Sequence, residues 1–288
     1  MVVTTKKKNN AEFGAWLSIM VYIALSLLKL VIGYFSNSKA LMADGLNNTT
    51  DIIASIAVLV GLKISKKPAD ADHRYGHSRA ETVASMVASF IMAAVGIEVL
   101  ISSVTKFIQG DFQSPSVIAA WVGLFSAGVM FWVFLYNSRL AKRTGSHALK
   151  AAAADNKSDA LVSLGTVVGI LGSIWGLPWF DSLTAVIVGL LICKTAWDIF
   201  WEASHMLTDG FDVKELEKFT NTVSVMDGVE KVKDIKARVH GNQIFVDLTI
   251  VVDQDMSVLE GHEITETIEQ ELMERHQINN VLVHIEPD

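Results

Sequence analysis

Apolar residues fill most of the first two hundred positions of this chain in long blocks, separated by short polar stretches. Six blocks, at about 14–35, 40–63, 81–107, 116–137, 149–175 and 179–201, are each long enough to cross a hydrocarbon layer of ~30 Å at ~20 residues per crossing. Several carry polar residues along one side, the pattern of a helix that lines a polar interior. Gly33–Lys39, Gly110–Pro115 and Gly176–Pro178 read as tight turns, and segment 64–80, with Pro68 and Gly76, as a longer polar loop. Connections this short predict antiparallel neighbours in a bundle.

Past Phe200 the pattern changes. Val213–Val225 has helical periodicity, and Val229–Val239 and Gln243–Val252 read as strands around a turn at His240-Gly241-Asn242. Ile244, Val246, Leu248 and Ile250 alternate with more polar positions, as on a half-buried strand. Glu260–Arg275 reads as an amphipathic helix with Ile264, Ile268 and Leu272 on one face, and Val281–Ile285 as a closing strand. The expected fold class is therefore a six-helix transmembrane bundle over residues 1–209. A small α+β domain of order α-β-β-α-β, ferredoxin- or metallochaperone-like, follows over residues 210–288.

Composition agrees with a membrane protein: 51% of residues are hydrophobic and mean hydropathy is +0.37. Basic residues supply the orientation. Lys6, Lys7, Lys8, Lys63, Lys66, Lys67, Arg74, Arg79, Arg139, Lys142, Arg143 and Lys150 fall on one side, against Lys39 and Lys106 on the other. The positive-inside rule then places both termini in the cytoplasm, with the chain multi-pass in a cell (inner) membrane. Three lysines followed by a full-length span do not resemble a cleaved secretory leader. The lone Cys193 permits neither a disulfide nor a cysteine metal cluster and reads as a small apolar residue. Residues 210–288 hold 17 acidic and 7 basic residues, a balance that suits cation attraction and argues against nucleic acid as a partner.

Against this background two polar pairs stand out. Asn47 and Asp51 interrupt the second block, and Asp155 and Asp159 the fifth, each pair spaced i, i+4 and hence on one helix face. A single intramembrane Asn reads as helix–helix glue, but three carboxylates cannot satisfy one another. They need protons or a metal. Carboxylate and amide oxygens suit Mn²⁺, Mg²⁺ and Ca²⁺ better than zinc, which favours imidazole and thiolate. The same carboxylates can take protons when the metal leaves, a direct route to antiport. Small residues beside the acids, in TTDIIAS and SDALVS, permit close helix approach.

ALMADGLNNTTDIIAS, PADADHRYGH and AAAADNKSDALVS resemble the cation diffusion facilitators, six-span exporters with a cytoplasmic carboxyl-terminal domain, over roughly residues 14–286. In zinc-transporting members His is typical at the position of Asp155, and His or Asp at that of Asn47. The Asn-x-x-x-Asp with Asp-x-x-x-Asp combination is similar to the manganese-exporting branch. The resemblance implies a homodimer in a lipid bilayer that exports Mn²⁺, or another divalent ion such as Fe²⁺, Co²⁺ or Zn²⁺, with protons as counter-ion. It further implies a cytoplasmic metal site at Asp70, His73 and His77, where spacing alone leaves a ligand cluster and a solvated loop with two incidental histidines equally open. Arg79 and Asp209 match positions that form a charge pair at the hinge between the two domains.

In the tail, His262, His284 and Glu286 are candidate ligands, the last two sharing a strand face. Two further histidines of zinc-transporting members correspond to Lys233 and Thr249, which leaves Asp247 or His240 as stand-ins and dimerisation as the expected role of the tail. Lys29, Glu98, Lys194 and Asp198, in or near spans, read as interfacial or structural. Two other classes fit less well. An intramembrane aspartyl protease would place its acids on two helices with a Gly-x-Gly-Asp segment, which is absent. A membrane metal sensor would bind without transporting. No enzymatic activity is expected.

Overall fold

A computed structural model describes residues 2–65, 67–110, 115–144, 147–241 and 243–288; side chains at 2–15, 58, 59, 62, 144 and 147–151 are outside that description. The turn expected at residues 240–242 and the one at 110–115 therefore fall partly outside the described residues. So do the side chains of Lys6, Lys7, Lys8, Lys66 and Lys150. Among the described residues six long helices come first: α1 (Val2–Phe35), α2 (Lys39–Ser65), α3 (Ala80–Gln109), α4 (Val117–Thr144), α5 (His147–Ile174) and α6 (Trp179–Leu207). Then follow α7 (Val213–Val223), β1 (Lys231–His240), β2 (Gln243–Val252), α8 (Val258–His276) and β3 (Asn280–Pro287). Among the described residues, α1, α3, α4, α5 and α6 are long and apolar enough to cross a membrane. α2 carries Asp44, Asn47, Asn48, Thr49, Thr50 and Asp51 in succession, the most polar stretch of the six. The chain divides into two compact units, one of residues 1–56 and 88–198 and one of residues 57–87 and 199–288.

In the first unit, α1 shows how the helices are sorted. Trp16, Met20, Ile23, Leu27 and Val31 are exposed, whereas Ser18, Tyr22, Ser26 and Lys29, at helical spacings on another face, are buried. Apolar residues outside and polar ones inside is the arrangement a bilayer requires. Small residues set close approaches: a Cβ at Gly96 on α3 would lie 2.6 Å from Cys193 Sγ on α6. Asp181 at the start of α6 holds the beginning of α2, accepting from Ser38 Oγ (2.7 Å), Lys39 N (2.6 Å) and Ala40 N (3.2 Å). A carboxylate there satisfies otherwise unpaired amides and complements the helix dipole.

In the second unit, the strands are ordered β1-β2-β3, with β1–β2 antiparallel and β2–β3 parallel across the α8 crossover. Alternation works as expected on β2, whose Val246, Leu248, Ile250 and Val252 are buried against Phe219 and Val223 of α7 and Ile268 and Leu272 of α8. Helix starts are fixed by Asp212 for α7 and by a Ser257–Glu260 capping box for α8. The expected strand Val229–Val239 begins two residues later, at Lys231, because Met226 to Val229 is taken up by a turn.

Candidate metal centre

Tyr22 of α1, Asn47 of α2 and Asp159 of α5 meet inside the first unit. Asp159 accepts the Tyr22 hydroxyl on Oδ2 at 2.6 Å and the Asn47 amide nitrogen on Oδ1 at 3.1 Å. Both donors are neutral, so a buried carboxylate is oriented without being neutralised. A half-turn of the Asn47 amide exchanges its nitrogen and oxygen and turns an acceptor toward the same space. Asp51, one turn along α2, has a buried Oδ2 with no hydrogen-bond partner. Asp155, one turn before Asp159, is exposed and takes part in none of these ties. The structure thus joins Asn47 to Asp159, while Asp51, Asp155 and Asp159 are not drawn into one tight cluster.

Toward the C-terminal ends of α1 and α5 lies a second polar group that sequence reasoning did not assign. Lys29, wholly buried, donates to Asp44 Oδ1 (2.9 Å), Asn48 Oδ1 (2.6 Å) and Ser163 Oγ (2.9 Å). Ser163 in turn donates to Asp44 Oδ1 at 3.2 Å. Close packing supports it: a Cβ at Gly45 would lie 3.0 Å from Lys29 Cβ. Of the two readings open for Lys29, interfacial or structural, burial excludes the first. The missed signal was available, since Ser18, Tyr22, Ser26 and Lys29 recur at helical spacing and predict one polar face. On the opposite side of Asp159, Asn137 and Asn156 both donate to Ser18 Oγ, at 2.8 and 3.2 Å, and their carbonyl oxygens are buried without partners.

Asp70, His73 and His77 do come together. Each offers a ligand atom within 4.8 Å of the others, and this is the one such trio of His, Cys, Asp and Glu among the described residues. Asp70 Oδ1 lies 3.2 Å from His73 Nδ1, and Oδ2 lies 3.4 Å from His77 Nε2. Backbone hydrogen bonds from His73 N (2.7 Å) and Asp72 N (3.1 Å) fix the carboxylate. The His73 amide is also the main cause that holds the Asp70 carboxyl below its usual range. A carboxylate with two imidazoles can hold a transition-metal ion. The loop that carries them is packed on the sheet of the same unit: Tyr75 lies edge-on to His240 and Phe245, both at 6.0 Å. A Cβ at Gly241, whose φ is 64°, would come within 2.4 Å of the Ser78 carbonyl oxygen.

Arg79 and Asp209 form an ion pair, with Asp209 in the left-handed region just past α6 (φ 60°). The tail candidates stand apart. His262 lies beside Glu266 at 3.3 Å, Glu286 is paired with Lys233, and His284 is exposed opposite Thr249. Neither stand-in is free, since Asp247 holds Arg238 at 2.5 Å and His240 is packed between Tyr75 and Phe245. Burial, followed by the charges of Arg79 and Arg238, holds the His240 imidazole below its usual range. Lys194 pairs with Asp198 at 2.6 Å along α6, both exposed.

Comparison with known proteins matches residues 15–208 to the cation efflux transmembrane domain and residues 211–288 to the cytoplasmic domain of cation efflux proteins. The manganese efflux system protein MneS of Bacillus subtilis (strain 168) is 53% identical over 276 residues, covering 96% of this chain and 95% of its own. The uncharacterized transporter YdbO of the same organism is 51% identical, covering 99% and 98%. Its manganese efflux system protein MneP is 29% identical, covering 95% of each chain.

Proposed function

The chain belongs to the cation efflux family, and from that premise we propose that it exports a divalent metal cation, foremost Mn²⁺, in exchange for protons. One observation carries the reading: among the described residues Asp159, buried where α1, α2 and α5 meet, is held by hydrogen bonds from the neutral donors Tyr22 and Asn47, with the unpartnered Asp51 Oδ2 on the facing helix. Buried negative charge without a resident partner calls for a mobile cation, and the donor set is all oxygen. The names of MneS and MneP favour Mn²⁺ among the candidates; Fe²⁺, Co²⁺ and Zn²⁺ are the alternatives.

In this mechanism, Asp51, Asp159 and the Asn47 oxygen take the ion from the cytoplasmic side, and Asp155 swings in from its exposed position to complete the site. Rocking of the helices exposes the ion outside. Protons then take its place on the carboxylates and return with them. Tyr22 orients Asp159 from behind, as outer-shell donors do for metal ligands. Tyr22→Phe is expected to raise the Mn²⁺ concentration for half-maximal transport by about tenfold. A transport titration of the two proteins measures it.

We place the domain boundary near residue 209, both termini in the cytoplasm, and a homodimer through residues 210–288. Asp70, His73 and His77 form an accessory cytoplasmic metal site in this reading, and Arg79–Asp209 a hinge pair. The exporter is tested in cells lacking their own manganese exporters. Expression should lower cell manganese and restore growth in high Mn²⁺; unchanged cell manganese with the protein present in the membrane contradicts export and favours a sensor.

A further inference from the structure

Resting on the exporter reading, we propose that Lys29 is a positioning residue that closes the outer side of the transport site, and that its tie to Asp44, Asn48 and Ser163 opens for each ion released. An ammonium has three donors, and all three are used, at 2.9, 2.6 and 2.9 Å. The acceptors lie on α2 and α5, and each is close in sequence to a residue of the site. Asp44 and Asn48 flank Asn47 at three residues and one, Ser163 lies one turn past Asp159, and Lys29 lies two turns past Tyr22. The three helices that meet at Asp159 are thus bound a second time, with Lys29, Asp44 and Ser163 displaced in one direction and Asn48 nearly level with Asn47. With the termini in the cytoplasm, that direction is outward.

The two sides of the site are unlike. Outward stands a fully buried ion pair; inward stand Ser18, Asn137 and Asn156, joined by neutral hydrogen bonds with two amide oxygens unpartnered. A buried ion pair opposes separation more strongly than neutral contacts, because either charge alone is costly to leave unpaired. The tie therefore favours closure on the outer side. It also keeps the Lys29 charge with Asp44, so the ammonium does not occupy the ligands of the transported ion.

The test separates closure from mere support. Lys29→Met alone strands Asp44 as a buried unpaired charge and can fail to fold, so the informative variant is Lys29→Met with Asp44→Asn, which removes both charges at similar volume. Thr166, wholly buried one turn past Ser163, is replaced by Cys in a Cys193→Ala background as reporter. Sealed right-side-out vesicles are treated with a membrane-impermeant thiol reagent, and Mn²⁺ transport is measured on the same proteins. The expected result is labelling about tenfold faster in the charge-free variant, from a population shifted toward the outward-open arrangement. Unchanged labelling in a folded double variant, with or without restored transport, overturns the closure and leaves Lys29 a structural residue. Absence of transport in the native protein overturns the exporter reading instead, and the inference with it.

Discussion

Asp155→His is expected to turn the protein toward zinc, shifting the ratio of Zn²⁺ to Mn²⁺ transport by roughly tenfold or more. The proposed oxygen-only set of Asn47, Asp51, Asp155 and Asp159 gives a borderline-soft ion no imidazole or thiolate. One imidazole changes that most at a position where the new ring meets no obstacle. Asp155 is exposed and lies outside the hydrogen bonds that hold Asp159, so the substitution leaves the Tyr22–Asp159–Asn47 contacts in place. Competition between the two ions in one vesicle preparation reads the ratio directly. A ratio that does not move removes Asp155 from the selectivity account.

Asp159→Ala is expected to abolish transport while leaving the protein folded in the membrane. Among the described residues, Asp159 is the one of the three carboxylates that α1 and α2 both hold through hydrogen bonds, and its loss frees the Tyr22 hydroxyl and the Asn47 amide together. Those two neutral groups cost far less to leave unpaired than a charge does. What disappears is the anion that, in the proposed mechanism, binds the cation and then the proton. A fall of at least about a hundredfold in Mn²⁺ flux is expected, beyond the ~10–100-fold that loss of an outer-shell partner costs in metal affinity. Size-exclusion behaviour of the purified variant checks that folding is intact.

Periodicity carried most of the fold. The apolar blocks became α1 to α6, and alternation at Val246, Leu248 and Ile250 put the correct face of β2 into the core. Strand ends were blurred because apolar Val229 lies in a turn before β1 and not within it. Charge that interrupts an apolar run singled out Asp51 and Asp159 as candidates, whereas Asp70, His73 and His77 were assigned through the resemblance, and the structure brings those three together. Lys29 was harder to read. A lysine near the end of a span usually snorkels to the interface; its recurrence with Ser18, Tyr22 and Ser26 marks a polar face, and its partners Asp44, Asn48 and Ser163, distant in sequence, show that it is buried. Tyr22 escaped for a related reason, since an aromatic residue in a membrane span attracts no attention until its hydroxyl is seen on Asp159. Lys233 and Asp247 ran the other way: their ion pairs with Glu286 and Arg238 bind side chains that sequence alone left available for a metal.

The central claim, that intramembrane carboxylates couple divalent-metal export to protons, is tested most directly by Mn²⁺ uptake into inside-out proteoliposomes. The native protein and Asp159→Ala are compared with and without a pH gradient, acidic inside. The account predicts uptake that the gradient stimulates in the native protein and that vanishes in the variant. Mn²⁺ binding without uptake by the native protein, or uptake that survives in Asp159→Ala, would contradict it.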